Sequence, residues 1–123
     1  MNYFMYCINH DEFLKLMNKV SSVVITSIEE STSLVAVEGL MMKKLVICSN
    51  GCGISRYIKN HEDGFIFPVR DSDKLLEIIK YVIDNNKKKL DMIRQHGRII
   101  YENNYSFEIF KKKLKMLLNG ITC

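Results

Sequence analysis

The pattern of hydrophobic and polar residues is clearest between Val23 and Ser49. Two short apolar runs, Val23–Thr26 and Leu45–Cys48, have the length and the β-branched content of buried strands. Between them lie a polar acidic loop, Ser27–Thr32, and a helix that opens near Ser33. Because a helix connects two buried strands, the pattern predicts one parallel βαβ unit.

The rest of the chain predicts further strands and helices around this unit. The expected elements are a strand at Tyr3–Ile8, a helix at Asp11–Lys19 capped by Asn9, a turn at Asn50–Gly53, a short helix at Ile54–Asn60, a strand at Phe65–Phe67, and helices that start at Asp71 or Ser72, at Lys88 and after Ser106. Parallel strands with helices on both faces give an α/β fold with a doubly wound sheet.

Composition indicates one globular domain over residues 1–123. The chain is 47% hydrophobic and 26% charged, which is an ordinary balance for a globular domain. The net charge of +4 comes largely from lysine runs at Lys87–Lys89 and Lys111–Lys115, which are interpreted as solvated helix faces. No aromatic-basic motif or recognition-helix signature accompanies these runs, so nucleic acid is not expected as a partner.

The four cysteines are Cys7, Cys48, Cys52 and Cys123. They form no Cys-x-x-Cys pair, and the sequence places no obvious further zinc ligands near them, so we expect free thiols and no metal. Free thiols indicate a reducing, cytoplasmic location. The apolar stretch Tyr3–Ile8 is too short for a signal peptide, and no apolar run approaches the roughly 20 residues of a membrane-spanning helix.

The acidic loop lies where parallel sheets bind their ligands. Such ligands lie outside the carboxyl ends of the strands, where a helix N-terminus offers unpaired N–H groups to an anion. The amides of Ser33, Leu34 and Val35 are therefore predicted to bind phosphate. Glu30 and Glu38 stand on either side of these amides, with seven residues between them. Because carboxylates repel phosphate but accept hydrogen bonds from vicinal hydroxyls, the combination is typical of a nucleoside diphosphate sugar site.

In their order and spacing these residues resemble the retaining GT-B glycosyltransferases of the large group called family 4. The residues that carry the resemblance are Glu30, Glu38, Lys43 or Lys44, the strand Leu45–Ser49, the glycine loop Gly51–Ile58 and the turn Glu62–Pro68. Ordered matches over roughly the first half of the chain are followed by compatible helices. The chain thus resembles the C-terminal, nucleotide-sugar-binding domain of these enzymes, which has a Rossmann-like sheet followed by C-terminal helices.

The resemblance implies transfer of a sugar from a nucleotide donor to an acceptor, with retention at the anomeric carbon. Glu38 would bind the ribose hydroxyls. Glu30 would bind the hydroxyls of the donor sugar and is the candidate catalytic residue. The amides around Thr32, Ser33 and Leu34 would bind the phosphate and the sugar. No metal or other cofactor is implied.

The resemblance also concerns both ends of the chain. The backbone of Cys7 or Ile8 is a candidate contact to the nucleotide base. His10 is interpreted as a helix-start residue rather than a catalytic one. The last helix of the family often crosses to the other domain, so we expect the apolar face around Phe110 and Leu114 to be partly bare.

A full GT-B enzyme also has an N-terminal acceptor domain and cationic residues that neutralise the diphosphate. Neither precedes Met1, so the chain is predicted to be a partial C-terminal domain, truncated or split, that is inactive alone. Its expected partners are a nucleotide sugar and a missing acceptor domain or subunit, and membrane association of the parent enzyme is left open. The alternative is a non-catalytic nucleotide-binding or protein-interaction module derived from that domain. A receiver-like fold would need acidic residues at the end of Tyr3–Ile8, which has none.

Overall fold

The computed structural model describes residues 9–121 and shows an α/β fold. In this part of the chain the elements are α1 His10–Lys19, β1 Ser22–Ile25, α2 Leu34–Met41, β2 Leu45–Ser49, a 3-10 helix at Gly53–Tyr57, β3 Phe65–Phe67, α3 Ser72–Asp84, α4 Lys87–Asn104 and α5 Phe107–Ile121. The strand predicted at Tyr3–Ile8, with the candidate base contacts Cys7 and Ile8, lies outside the described residues.

The strands form a parallel sheet in the order β1-β2-β3. Val23 of β1 lies opposite Val46 of β2, and Ile47 of β2 lies opposite Phe65 of β3. Every residue of β2 is buried, as expected of a central strand that is covered on both faces. The predicted parallel βαβ unit is confirmed, and β3 extends it.

Hydrophobic cores lie on both faces of the sheet, because successive side chains of β2 point to opposite sides. On one face β2 packs with α2 and the second half of α4, in a cluster that includes Val46, Cys48, Ala36, Leu40, Ile54 and Ile100. On the other face β2 packs with β3, α3 and the first half of α4, in a cluster of Leu45, Ile47, Phe65, Phe67, Ile78, Leu90 and Ile93. Helices therefore cover both faces, as predicted.

Helix starts follow the predicted capping residues, but one helix differs from the prediction. The side chains of Asn9, Ser33 and Asp71 accept hydrogen bonds from the N–H three residues later, at 2.9, 3.2 and 2.9 Å. The helix predicted at Ile54–Asn60 is instead a short 3-10 helix that ends at Tyr57. It ends early because the chain must turn and bridge back onto itself before β3 begins.

The apolar face of α5 is partly bare, as predicted. Phe110 is 59% exposed and Leu114 is 42% exposed. Within residues 9–121, no helix combines the length and the apolar character that crossing a bilayer requires.

The end of α2 holds a lysine in a conformation that favours glycine. Lys43 has a φ of 57°, and the N–H groups of Lys43 and Lys44 donate to the carbonyls of Leu40 and Gly39 at 3.2 and 2.8 Å. These are the hydrogen bonds of a Schellman motif, whose left-handed position is usually a glycine. A Cβ in this position crowds the following carbonyl oxygen.

We expect Lys43→Gly to raise the free energy of unfolding by about 0.5–1 kcal/mol, because glycine adopts the left-handed conformation without that crowding. Urea denaturation measures the change. Lys44→Gly is the matched control, since it removes the same charge at a residue without a positive φ and should lower stability. Equal losses in both variants would contradict the expectation.

Candidate functional site

Two loops meet at the carboxyl end of the sheet, one after β1 and one after β2. The N–H of Glu30 donates to the carbonyl of Gly51 at 3.0 Å, and the N–H of Gly53 donates to the carbonyl of Glu30 at 2.7 Å. Glu30 thereby forms an isolated parallel bridge with Cys52. Two backbone hydrogen bonds therefore join the acidic loop to the loop after β2, beyond the end of the sheet.

Gly51 and Gly53 are required because the two backbones approach closely. A Cβ on Gly51 would lie 2.1 Å from the carbonyl oxygen of Ile28, and a Cβ on Gly53 would lie 1.8 Å from that of Ser31. Neither glycine has a positive φ. The predicted turn is present, and its two glycines provide room for a close contact between the loops.

Ser49, which was not predicted as a site residue, fixes the start of the acidic loop. It is fully buried at the end of β2, and its Oγ donates a hydrogen bond to the carbonyl of Ser27. Its Oγ also lies 3.8 Å from the Sγ of Cys52. A polar residue that closes an otherwise apolar buried strand needs a partner, and this is the sequence signal that identifies it.

The carboxylate of Glu30 is oriented from within its own loop. Ser27 Oγ donates to Glu30 Oε2 at 2.7 Å, and Glu30 is half-buried. Because the backbone and one carboxylate oxygen are both held, the side chain has one preferred direction. A fixed carboxylate of this kind can accept hydrogen bonds from hydroxyl groups, and the role assigned to Glu30 stays a prediction.

The N-terminus of α2 follows the acidic loop directly. Ser33 is buried, and its Oγ is occupied by the cap hydrogen bond from Ala36. Among the described residues, the N–H groups of Ser33, Leu34 and Val35 have no acceptor. Thr32, just before the cap, is exposed. These N–H groups and the helix dipole can together hold an anion.

Glu38 lies about one turn further along α2 and faces α1. Its Oε1 lies 3.9 Å from Nε2 of His10, and its side chain is 21% exposed. These two residues line an open cavity of about 320 Å³ with Phe13, Leu34 and Val35. The cavity therefore combines one carboxylate with an apolar wall that is built by α1 and α2.

The structure brings only some of the predicted site residues into this cavity. Leu34 and Glu38 line it, whereas Glu30, Thr32 and Ser33 belong to the adjoining loop and cap. His10 was interpreted as a helix-start residue, and it does start α1, but it also faces Glu38. Local sequence pattern does not reveal that contact, because the two residues lie on different helices.

Cys48 and Cys52 are free, buried thiols. Burial, with a smaller effect from Cys52, raises the pKa of Cys48 to about 12. Cys48 therefore stays a neutral thiol at neutral pH and is inert as a nucleophile. In the part of the chain that the structure describes, no group of three His, Cys, Asp or Glu residues is placed to hold a metal ion. Cys7 and Cys123 lie outside that part.

Several solved structures have the same fold. Sucrose-phosphate synthase from Thermosynechococcus elongatus matches with a TM-score of 0.84 at 20% identity, over 97% of this chain and 30% of that chain. Anabaena HepE in complex with UDP-glucose matches with a TM-score of 0.77 at 20% identity, over 86% of this chain and 29% of that chain. The C-terminal domain of a glycosyl transferase group 1 family protein from Francisella tularensis matches with a TM-score of 0.75 at 20% identity, over 85% of this chain and 53% of that chain.

The chain therefore spans about half of the Francisella structure and less than a third of the other two chains. No curated protein sequence matches it significantly. A family model described as glycosyl transferases group 1 matches residues 3–98, which include both carboxylates and both loops of the candidate site. The chain has the fold of a GT-B C-terminal domain, and it belongs to the glycosyl transferases group 1 family.

Proposed function

We propose that this domain binds the nucleoside diphosphate sugar donor of a retaining, family 4 type hexosyl transfer. One arrangement carries the proposal: a carboxylate fixed in a loop, unpaired helix N–H groups beside it, and a second carboxylate one turn further along the helix. Group 1 membership supports it, as does the UDP-glucose complex of the similar Anabaena protein.

Each part of the arrangement is assigned one part of the donor. The N–H groups of Ser33, Leu34 and Val35 bind phosphate, which carboxylates would repel. Glu38 accepts hydrogen bonds from the ribose hydroxyls, and its place in a cavity with an apolar wall suits a nucleoside. Glu30 accepts hydrogen bonds from the hydroxyl groups of the sugar and lies beside the anomeric carbon, where the reaction takes place.

The complete reaction also needs an acceptor site and positive charge on the leaving diphosphate. We propose that an acceptor domain or subunit provides both, and that residues 1–123 alone bind the donor without turnover. The reaction is assigned to the cytoplasm, where the free thiols of Cys48 and Cys52 would stay reduced.

Glu30→Ala tests the sugar contact. It should weaken binding of UDP-glucose about ten-fold more than binding of UDP, because only the sugar nucleotide can use a charge-assisted hydrogen bond to Glu30. Titration calorimetry with both ligands measures the difference, and GDP-mannose with GDP extends the test to another base and sugar.

Glu29→Ala is the matched control, since it removes an exposed acid from the same loop and should leave both affinities unchanged. Equal losses for UDP and UDP-glucose in Glu30→Ala would contradict the sugar assignment. If the unsubstituted protein bound UDP and UDP-glucose equally well, the alternative of a non-catalytic nucleotide-binding module would be favoured.

A further inference from the structure

His10 occupies a specific place beside Glu38. Asn9 caps α1 by accepting a hydrogen bond from the N–H of Glu12 at 2.9 Å, which fixes the first turn where His10 lies. The imidazole Nε2 then lies 3.9 Å from Glu38 Oε1. Among the described residues, no other side chain forms an ion pair or a hydrogen bond with the Glu38 carboxylate.

The His10 side chain is 65% exposed, and the contacts of its ring are with its own helix and with the wall of the cavity. Its ring stacks against Phe13 with the centroids 6.4 Å apart and the planes at 25°. Leu34 and Val35 complete the wall of the cavity from α2. The charged neighbours of His10 on its own helix are Asp11 and Glu12, and the carboxylate that faces it from α2 is Glu38.

The separation of 3.9 Å is longer than a hydrogen bond. When its imidazole is protonated, His10 can therefore attract one oxygen of Glu38 through its charge without occupying the lone pairs that a diol needs. A ribose diol requires both carboxylate oxygens to face it, and an unrestrained carboxylate loses rotational freedom when the diol binds. Restraining the carboxylate beforehand reduces that entropic loss.

We propose that His10 is a positioning residue, which holds the Glu38 carboxylate in the direction that binds the ribose of a nucleoside diphosphate. The inference rests on the proposed function, because it takes Glu38 as the ribose contact. It adds a residue that acts through Glu38 and makes no covalent or proton-transfer step.

The test is a double-mutant cycle, with UDP binding measured by titration calorimetry. His10→Ala should weaken binding about three- to five-fold, the size expected for an exposed pair. His10→Lys retains a positive charge that can reach Glu38 and should stay within about two-fold of the unsubstituted protein. In a Glu38→Ala background, adding His10→Ala should change binding by less than about two-fold, because its partner is gone.

Lys15→Ala, an exposed substitution on the same helix, is the control and should not change UDP binding. Circular dichroism shows whether each variant is folded. No loss in His10→Ala, or an equal loss in the Glu38→Ala background, would overturn the inference while the nucleotide site stands. The proposed function, and the inference with it, would be overturned if the unsubstituted protein bound no nucleoside diphosphate. An unchanged affinity for UDP in Glu38→Ala would have the same consequence.

Discussion

Gly53→Ala is expected to lower the free energy of unfolding by about 3 kcal/mol or more, a large share of the stability of a domain of this size. The added methyl group would stand 1.8 Å from the carbonyl oxygen of Ser31, and a backbone atom cannot rotate away as a side chain does. Moving the loops apart would also break the hydrogen bond from Gly53 to Glu30. Urea denaturation followed by circular dichroism measures the loss.

Gly120→Ala provides the control for this substitution. A Cβ on Gly120 has no heavy atom within 4 Å, and the residue lies in α5, where alanine is the better helix former. Its stability should be unchanged or slightly higher. If the Gly53→Ala variant were as stable as the Gly120→Ala variant, the result would contradict the close packing of the two loops.

Glu38→Ala is expected to weaken binding of UDP by about ten- to a hundred-fold, because a carboxylate that accepts hydrogen bonds from a diol contributes roughly 1.5–3 kcal/mol. UDP-glucose should lose affinity by the same factor, since both ligands carry the ribose. Titration calorimetry or chemical-shift mapping with both ligands measures the effect.

Glu77→Ala is the control for charge and helix position. Glu77 is an exposed acid of α3 that pairs with Lys74 at 3.0 Å, and its removal should leave nucleotide affinity unchanged. The assignment of the ribose to Glu38 would fail if both variants bound UDP equally well. It would also fail if ligand-induced shifts mapped to α5 instead of to the start of α2.

The sequence predicts those features of the fold that depend on residues close together in the chain. The apolar run Leu45–Cys48 identifies the central strand, and Asn9 and Ser33 identify helix starts, because strand burial and capping are local properties. The short helix after Gly53 was predicted too long, since its end is set by the turn that leads into β3.

The contacts that shape the candidate site are not local, so the sequence does not predict them. The bridge between Glu30 and Cys52 depends on two loops meeting at one edge of the sheet. The pairing of His10 with Glu38 depends on how α1 packs beside α2. In each pair the two residues are separated along the chain by at least one strand or helix. Whether they come into contact therefore depends on the tertiary packing of the whole domain.

The pairing of Glu30 with Cys52 also limits how this edge of the protein can evolve. The segment that leads from β1 to Glu30 is bent, so an inserted residue would have to be accommodated there for the bridge to Cys52 to be kept. A compensating insertion after β2 would have to preserve the close approach at Gly51 and Gly53. The bridge and the two glycines therefore restrict changes of length in these loops, whereas an exposed side chain such as that of Glu29 can be exchanged without moving the backbone.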